Sequence, residues 1–549
     1  MSGSEACFPD EAFLHERTRS ALVLVIPLLY LTATLFDSSQ MAVWGLQVDP
    51  ESAYTMNGLV AAAGYGSLKF DHPGTTTTLL VEIVVRLWAL VIRPADIVEF
   101  ALQNYDTITY VARSCEAVIL TVALVVGGRM VERVTRSTIA AMLFQTGVFV
   151  HPDTFHFEMT LVPESLMASC AILGMATVIR AALGKDAPPV RLGIASGLIF
   201  ALGFSSKYLY LVHALLSVAF LRNMRAFRAA ITVGLFGFVL FNLVFNPGTI
   251  TRGFGWLVQI ATHRGYYGGG EVGFADPAQF WSNMASLIAD QTLVFAIFVG
   301  GAFVASVHAV RHRSWTDPVD LTLLAAFAAF VLQLIAASKH FGFHYMMATW
   351  VLVGGILVLV VVQVRRLVPA IPPTVLAVLS GAACLLMIAQ TMTGVRRIEA
   401  EWWALDEIGA KLSRAVETAG PACANVSSMF VRAPENDKNH GFDMTVELWG
   451  DEAMKQRFAS AYERGFSVPL LDHNPYTHVV KRNFRPTTYA QLAADFPCII
   501  VRSKAVFVEE TGNGLLSLSP EHCQVEDIHL YTVGIPCAKV RDAYLGRSS

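Results

Sequence analysis

The chain has 549 residues, 54% of them hydrophobic and only 15% charged, with a formal net charge of −3. Mean hydropathy is +0.50. That composition places it in the membrane class and removes nucleic acid as a partner, because the charges are sorted by loop and form no net basic surface.

Residues 1–19 are polar and mildly acidic up to His15, and read as a cytoplasmic amino terminus. No small-residue cleavage site follows the first apolar run, so that run is expected to stay as a span. Apolar stretches then recur until about residue 394. They cover 20–36, 107–127, 137–150, 162–183, 190–205, 208–221, 229–246, 291–309, 319–337, 344–364 and 372–393. These make about eleven spans, the shorter ones completed by flanking residues or tilt.

Segment 75–93 decides the topology. If it does not cross, Arg17 and Arg19 share a side with Arg129, Arg133, Arg136, Arg180, Lys185, Arg222, Arg311 and Arg365. Short basic loops stay in the cytoplasm, which favours this arrangement. Thr75, Thr78, Glu82, Arg86 and Arg93 fall on one helical face and apolar residues on the rest, the pattern of a helix lying in the interface. The competing reading is a span carrying a Glu82–Arg86 ion pair at i, i+4.

The predicted fold is therefore an α-helical polytopic membrane protein with a carboxyl-terminal extracytoplasmic α/β domain. Residues 20–395 form the membrane domain, with 37–106 as its first outer loop, and 396–549 form the outer domain. Within the latter, 399–418 and 451–462 read as helices, and 423–431 and 498–501 as strands. Cys423, Cys498, Cys523 and Cys537 all lie there. Four cysteines in an oxidising compartment imply two disulfides, with three possible connectivities. No CxxC or paired-histidine spacing points to a metal.

Polar residues gather in the turns expected on the outer face. The first outer loop, before segment 75–93, supplies Asp49, Glu51, Asp71 and His72. HPDTFHFEMTLVPES supplies Asp153, Glu158 and Glu164, and GFSSKYLY supplies Lys207. The loop 247–290 supplies Arg252 and Arg264, and SKHFGFHYMMATW supplies Tyr345. Carboxylates can take an acceptor's proton while cations hold a leaving phosphate. Each residue also has a plain reading. Asp49 and Glu51 suit a solvated loop, Glu164 a helix start, His72 a turn with Pro73, and Arg252 and Arg264 a membrane interface. Lys207 lies between two apolar runs, where a bare cation is costly, and so reads as functional.

The order of these features resembles the family C (GT-C) glycosyltransferases, in particular the protein O-mannosyltransferase and lipid A aminoarabinose transferase group. It runs from an acidic motif after the first span to a His-Pro opening an amphipathic helix, then Arg113, a second-loop acid, Gly-Phe-Ser-Ser-Lys-Tyr and a late Tyr345. The resemblance covers most of the membrane part. It implies that Asp49 orients or activates the acceptor. Relatives show adjacent Asp-Glu followed by Tyr, whereas here Pro50 separates Asp49 from Glu51, so both residues compete for the role. Glu164 resembles the second-loop acid, usually Asp, with Glu158 as runner-up. His72, Lys207, Arg252 or Arg264, and Tyr345 resemble the donor-phosphate set.

The resemblance implies an integral inner-membrane enzyme taking sugar from a polyprenyl-phosphate donor to an envelope glycan, lipid or protein. A single inverting displacement calls for no cofactor and requires no metal, while the resemblance leaves a divalent metal open. Two other functions compete. A transporter or flippase of a lipid-linked or envelope substrate would need broken spans, midplane charges and internal symmetry. A binding or assembly protein would work through 396–549.

Overall fold

The computed structural model describes residues 16–41, 51–70, 74–265, 269–428, 431, 436–466, 469–474, 479–504 and 514–547. Asp49, Asp71 and His72 lie outside the described residues.

Among the described residues, seventeen α-helices precede the first strand: α1 (Glu16–Gln40), α2 (Glu51–Val60), α3 (Thr75–Ile92), α4 (Ile97–Gln103), α5 (Tyr105–Thr135), α6 (Thr138–Gln145), α7 (Pro152–Glu158), α8 (Pro163–Leu183), α9 (Val190–Ser206), α10 (Met224–Phe245), α11 (Phe254–Thr262), α12 (Pro277–Asp290), α13 (Thr292–His312), α14 (Pro318–Lys339), α15 (Met347–Trp350), α16 (Val353–Leu367) and α17 (Pro373–Ala419). Among the described residues, eight helices are long and apolar enough to cross a membrane, or nine if the bent pair Phe343–Trp350 and Val353–Leu367 counts as one. Thr138–Phe149, Val190–Ser206 and Tyr208–Phe220 are apolar but shorter. Every stretch read as a span is thus helical. α3 also meets the length and hydropathy needed to cross, and its Glu82 and Arg86 form the i, i+4 ion pair at 2.8 Å. Leu87, Leu90, Val91 and Ile92 on the same helix are exposed apolar side chains, suited to lipid contact.

The chain divides into two compact units. The first comprises Met1–Ser38, Phe70–Thr77 and Arg113–Ile398. Its densest packing is α9 against α10. A Cβ at Gly193 would fall 2.1 Å from the Ala226 carbonyl oxygen, and one at Gly197 would fall 2.7 Å from that of Ala230. Small residues four apart let the two backbones touch, the device by which apolar helices associate where burial from water is not available as a driving force.

The second unit comprises Ser39–Lys69, Thr78–Ala112 and Glu399–Ser549, so residues of the first outer loop fall with the sheet domain. Its sheet contains β1 (Ala424–Ser428), β2 (Leu471–Asn474), β3 (Val479–Arg482), β4 (Arg485–Thr487), β5 (Ile499–Ser503), β6 (Glu521–Val525) and β7 (Ile528–Val533). The order is β4-β3-β2-β1-β5-β7-β6. β1 runs parallel to β2 and β5, and the outer pairs are antiparallel. Helices α18 (Asn436–Phe442), α19 (Glu452–Gly465), α20 (Tyr489–Asp495) and α21 (Cys537–Leu545) complete the unit. Strand alternation divides β5 between two cores. Ile500 packs with Leu412, Val416, Leu530 and Val540, while Ile499 and Val501 pack with Val426, Tyr489, Leu492 and Tyr531. A parallel centre covered on both faces is the expected solution. The four cysteines of this domain pair as Cys423–Cys498 and Cys523–Cys537.

Helices α2 and α4 pack on α18 and α19 within this unit. Arg464 of α19 bonds Asp96 at 2.6 Å and Glu99 at 3.1 Å. The Tyr105 hydroxyl donates to the Ser52 carbonyl at 2.6 Å, which fixes the start of α2.

Candidate active site

The strongest polar site in the first unit is built where helices stop. α9 ends at Ser206, and Lys207 takes an extended conformation (φ −154°, ψ 139°) before a 3₁₀ run, Tyr208–Phe220. That break turns the lysine side chain inward. α8 opens with Pro163 at its first position and Glu164 in its first turn, a sequence that suits a helix start through proline's fixed φ and the carboxylate's attraction to the helix amino end. The Lys207 ammonium donates to the Glu164 carboxylate, with the side chains 1% and 0% exposed. The ammonium also stands 4.9 Å from the centre of the Tyr345 ring, a cation–π distance. Tyr345 lies in the short turn Phe343–Met346, whose backbone is held by Gln333 donating to the Tyr345 carbonyl. Glu164, Lys207 and Tyr345, read separately from three turns, are therefore one cluster.

Two further carboxylates join them. Glu158 ends α7 and accepts from the Tyr30 hydroxyl. Burial raises its pKa well above the ordinary carboxylate range, an effect the Tyr30 hydrogen bond partly offsets. Glu116 of α5 accepts from the Thr77 hydroxyl at 3.1 Å and is fully buried. It lies close enough to Glu158 and Glu164 to interact electrostatically with both. Arg113, one turn earlier on α5, is buried to 1% exposure. Glu116 was missed by sequence reasoning although a signal existed: it is an ionisable residue inside the apolar run 107–127.

The threonine run opening α3 anchors this region. Thr75 donates to the Asn242 side-chain oxygen at 2.7 Å, and the Thr76 and Ser206 hydroxyls are 2.7 Å apart. The Gly74 N–H donates to the Ser206 carbonyl at 2.9 Å. These bonds fasten the helix that follows His72-Pro73 to the end of α9, immediately before Lys207. Next to Lys207, the Tyr208 hydroxyl lies 3.4 Å from the carbonyl oxygens of both Phe70 and Thr249. The exposed Arg252 guanidinium sits 5.6 Å from the Phe70 ring. Arg264 is elsewhere in its loop: its guanidinium is 3.9 Å from Glu271, and both are exposed.

Glu51 belongs to the second unit, where it opens α2 and is 1% exposed. It is thus no solvated loop acid. Lys69 of the same unit lies 4.5 Å from the Tyr54 ring.

Among the described residues, one group can hold a metal. His151 Nε2 is 2.9 Å from Asp290 Oδ2 and His151 Nδ1 is 3.9 Å from Asp153 Oδ2; the ligand atoms all lie within 4.8 Å. Histidine plus two carboxylates suits a divalent cation. The group is also bonded internally: the Asp153 backbone N–H donates to Nδ1 at 3.3 Å, leaving Nε2 to donate to Asp290. Burial raises the Asp153 pKa, His151 lowers it, and Asp290 raises it again.

No family model matches the chain, and no curated protein sequence matches it significantly. Solved structures do. ArnT from Cupriavidus metallidurans in the apo state aligns over 92% of this chain and 98% of its own, at 12% identity and a TM-score of 0.46. The same protein bound to undecaprenyl phosphate aligns over 92% and 97%, at 11% identity and a TM-score of 0.44. The archaeal oligosaccharyltransferase AglB from Archaeoglobus fulgidus, in complex with an inhibitory peptide and a dolichol-phosphate, aligns over 86% of this chain and 69% of its own, at 10% identity and a TM-score of 0.38.

Proposed function

We propose that the chain is an integral-membrane, inverting GT-C glycosyltransferase that moves a hexose or pentose from a polyprenyl-phosphate donor to an envelope glycan, lipid or protein. The reading places it in the inner membrane with its amino terminus cytoplasmic and its carboxyl domain outside. The observation that carries it is the buried Lys207–Glu164 pair beside Tyr345. A lysine kept out of water at a helix break, held by a carboxylate and an aromatic face, is a cation placed in advance for negative charge that develops during a reaction.

The donor is a sugar phosphodiester of charge about −1 that leaves as a phosphomonoester of charge about −2. A cation fixed in a water-poor site favours the leaving state over the ground state, which is the condition for acceleration. Lys207 fills that role, with Arg252 and His72 as further phosphate contacts and Glu164 holding the ammonium in place. The acceptor oxygen or nitrogen attacks the anomeric carbon. The bond from that carbon to the phosphate oxygen breaks, the electron pair leaves with the lipid phosphate, and the acceptor proton passes to Asp49 or Glu51. Arg264, engaged by Glu271, has the weaker claim on phosphate. The test is sugar transfer by purified protein from a polyprenyl-phosphate sugar. Full transfer by a variant carrying both Asp49→Asn and Glu51→Gln removes the base from this scheme.

A further inference from the structure

A second polar cavity, of about 310 Å³, lies in the first unit at the end of α8 opposite Glu164. Arg180 in the last turn of α8 is 16 residues from Glu164, roughly 24 Å along the axis at 1.5 Å per residue. That span approaches the hydrocarbon thickness of a bilayer, so the cavity falls at the other lipid boundary. Arg133 of α5, Arg180 and Lys185 converge on it. Half-buried Met130 and Val134 and buried Leu192 supply apolar walls, and Asp186 stands at its edge.

The loop that forms the cavity is tied down. Arg222 donates to the Gly184 and Lys185 carbonyls at 3.0 and 3.1 Å, and Asn223 donates to the Pro188 carbonyl at 2.9 Å. Three basic residues at other helix ends are engaged: Arg129 with Glu132, Arg366 with Asp317, and Arg365 with the Pro369 and Ile371 carbonyls. Arg133, Arg180 and Lys185 make no ion pair or side-chain hydrogen bond of this kind among the described residues.

We infer that this cavity binds the phosphodiester headgroup of an anionic glycerophospholipid. Three cations around one space suit an anionic phosphate group, onto which arginine forks. Asp186 accepts from a headgroup hydroxyl, which selects glycerol over choline. The apolar walls receive the glycerol backbone. Basic pockets between spans at a membrane boundary are known headgroup sites. The assignment stands apart from the sugar-transfer reading and uses none of its residues.

The test is lipid retention by the full-length protein purified in detergent, measured by native mass spectrometry after incubation with phosphatidylglycerol, phosphatidylcholine or inorganic phosphate. The wild type is expected to retain phosphatidylglycerol at least tenfold better than phosphatidylcholine. A variant carrying Arg133→Gln, Arg180→Gln and Lys185→Gln should lose that preference. A control with Arg225→Gln and Arg228→Gln, exposed cations of the neighbouring turn, should keep it. All three proteins are compared at matched melting temperature. Undiminished retention by the triple variant, equal loss in the control, or displacement of lipid by equimolar inorganic phosphate would each overturn the inference.

Discussion

The Lys207 ammonium meets the Glu164 carboxylate in a place that water does not reach, both side chains being essentially unexposed. Neither charge tolerates the loss of the other, because removing one partner of a buried pair leaves an uncompensated ion and costs about 3–5 kcal/mol. Lys207→Met should therefore both destabilise the protein and abolish transfer. Combining it with Glu164→Gln should restore the melting temperature and leave transfer at least about 100-fold down, the scale of losing one preorganised charge contact. Thermal melts and transfer rates on the two variants separate the folding role from the chemical one. Recovery of activity along with stability would assign the pair to structure alone.

Gly253 is held against Tyr208. A Cβ there would fall 1.9 Å from the tyrosine hydroxyl. Gly253→Ala is expected to destabilise by about 1–3 kcal/mol through overpacking and to disturb the residue next to Lys207. Tyr208→Phe removes the clashing oxygen, so the double variant should recover most of the loss. A double-mutant cycle on melting temperature measures that coupling; purely additive effects would argue against the contact.

His440 of α18 sets a pH dependence in the second unit. Burial, aided by the positive charge of Lys69, lowers its pKa to about 4. The unfolded imidazole titrates near 6.5, so above that pH neither state carries the proton and stability is full. As pH falls from about 6.5 toward 4, the unfolded chain takes the proton first and stability drops, by up to about 3 kcal/mol. His440→Gln should flatten the acid limb of a melting-temperature profile. Parallel acid limbs in wild type and variant would place the titrating group elsewhere.

Reduction of the disulfides in the sheet domain should be costly. Cys423–Cys498 closes a separation of 75 residues and Cys523–Cys537 one of 14. Loop-entropy estimates give about 4 and about 3 kcal/mol respectively. Cys423→Ala/Cys498→Ala should lower the melting temperature more than Cys523→Ala/Cys537→Ala, and free-thiol labelling of the oxidised protein should find none of the four. The reverse ranking would show that native-state strain, rather than chain entropy, dominates.

The membrane part was largely legible because lipid imposes a long apolar helical signal, and each run from 20–36 to 372–393 is helical. The convergence of Glu164, Lys207 and Tyr345 was also legible, since each interrupts or borders an apolar run. Pairings that depend on tertiary approach were not. Cysteine spacing left three connectivities open, and although Glu116 stands out as an ionisable residue inside the run 107–127, its place beside the other carboxylates depends on how α5 packs. α3 was ambiguous for a physical reason. Its threonines look like a water-facing stripe, yet Thr75, Thr77 and Thr78 are buried, and Thr75 and Thr77 are bonded to Asn242 and Glu116. Glu51, read as a candidate acid with a solvated loop as its plain alternative, is buried, which a sequence does not show because it does not say which helix will cover it.

The most direct measurement is single-turnover transfer of a radiolabelled sugar from a polyprenyl-phosphate donor by the purified full-length protein, comparing wild type with Lys207→Met/Glu164→Gln. The account predicts label in the acceptor and inverted anomeric configuration for the wild type, with little or none for the stable double variant. Equal transfer by both proteins would contradict it.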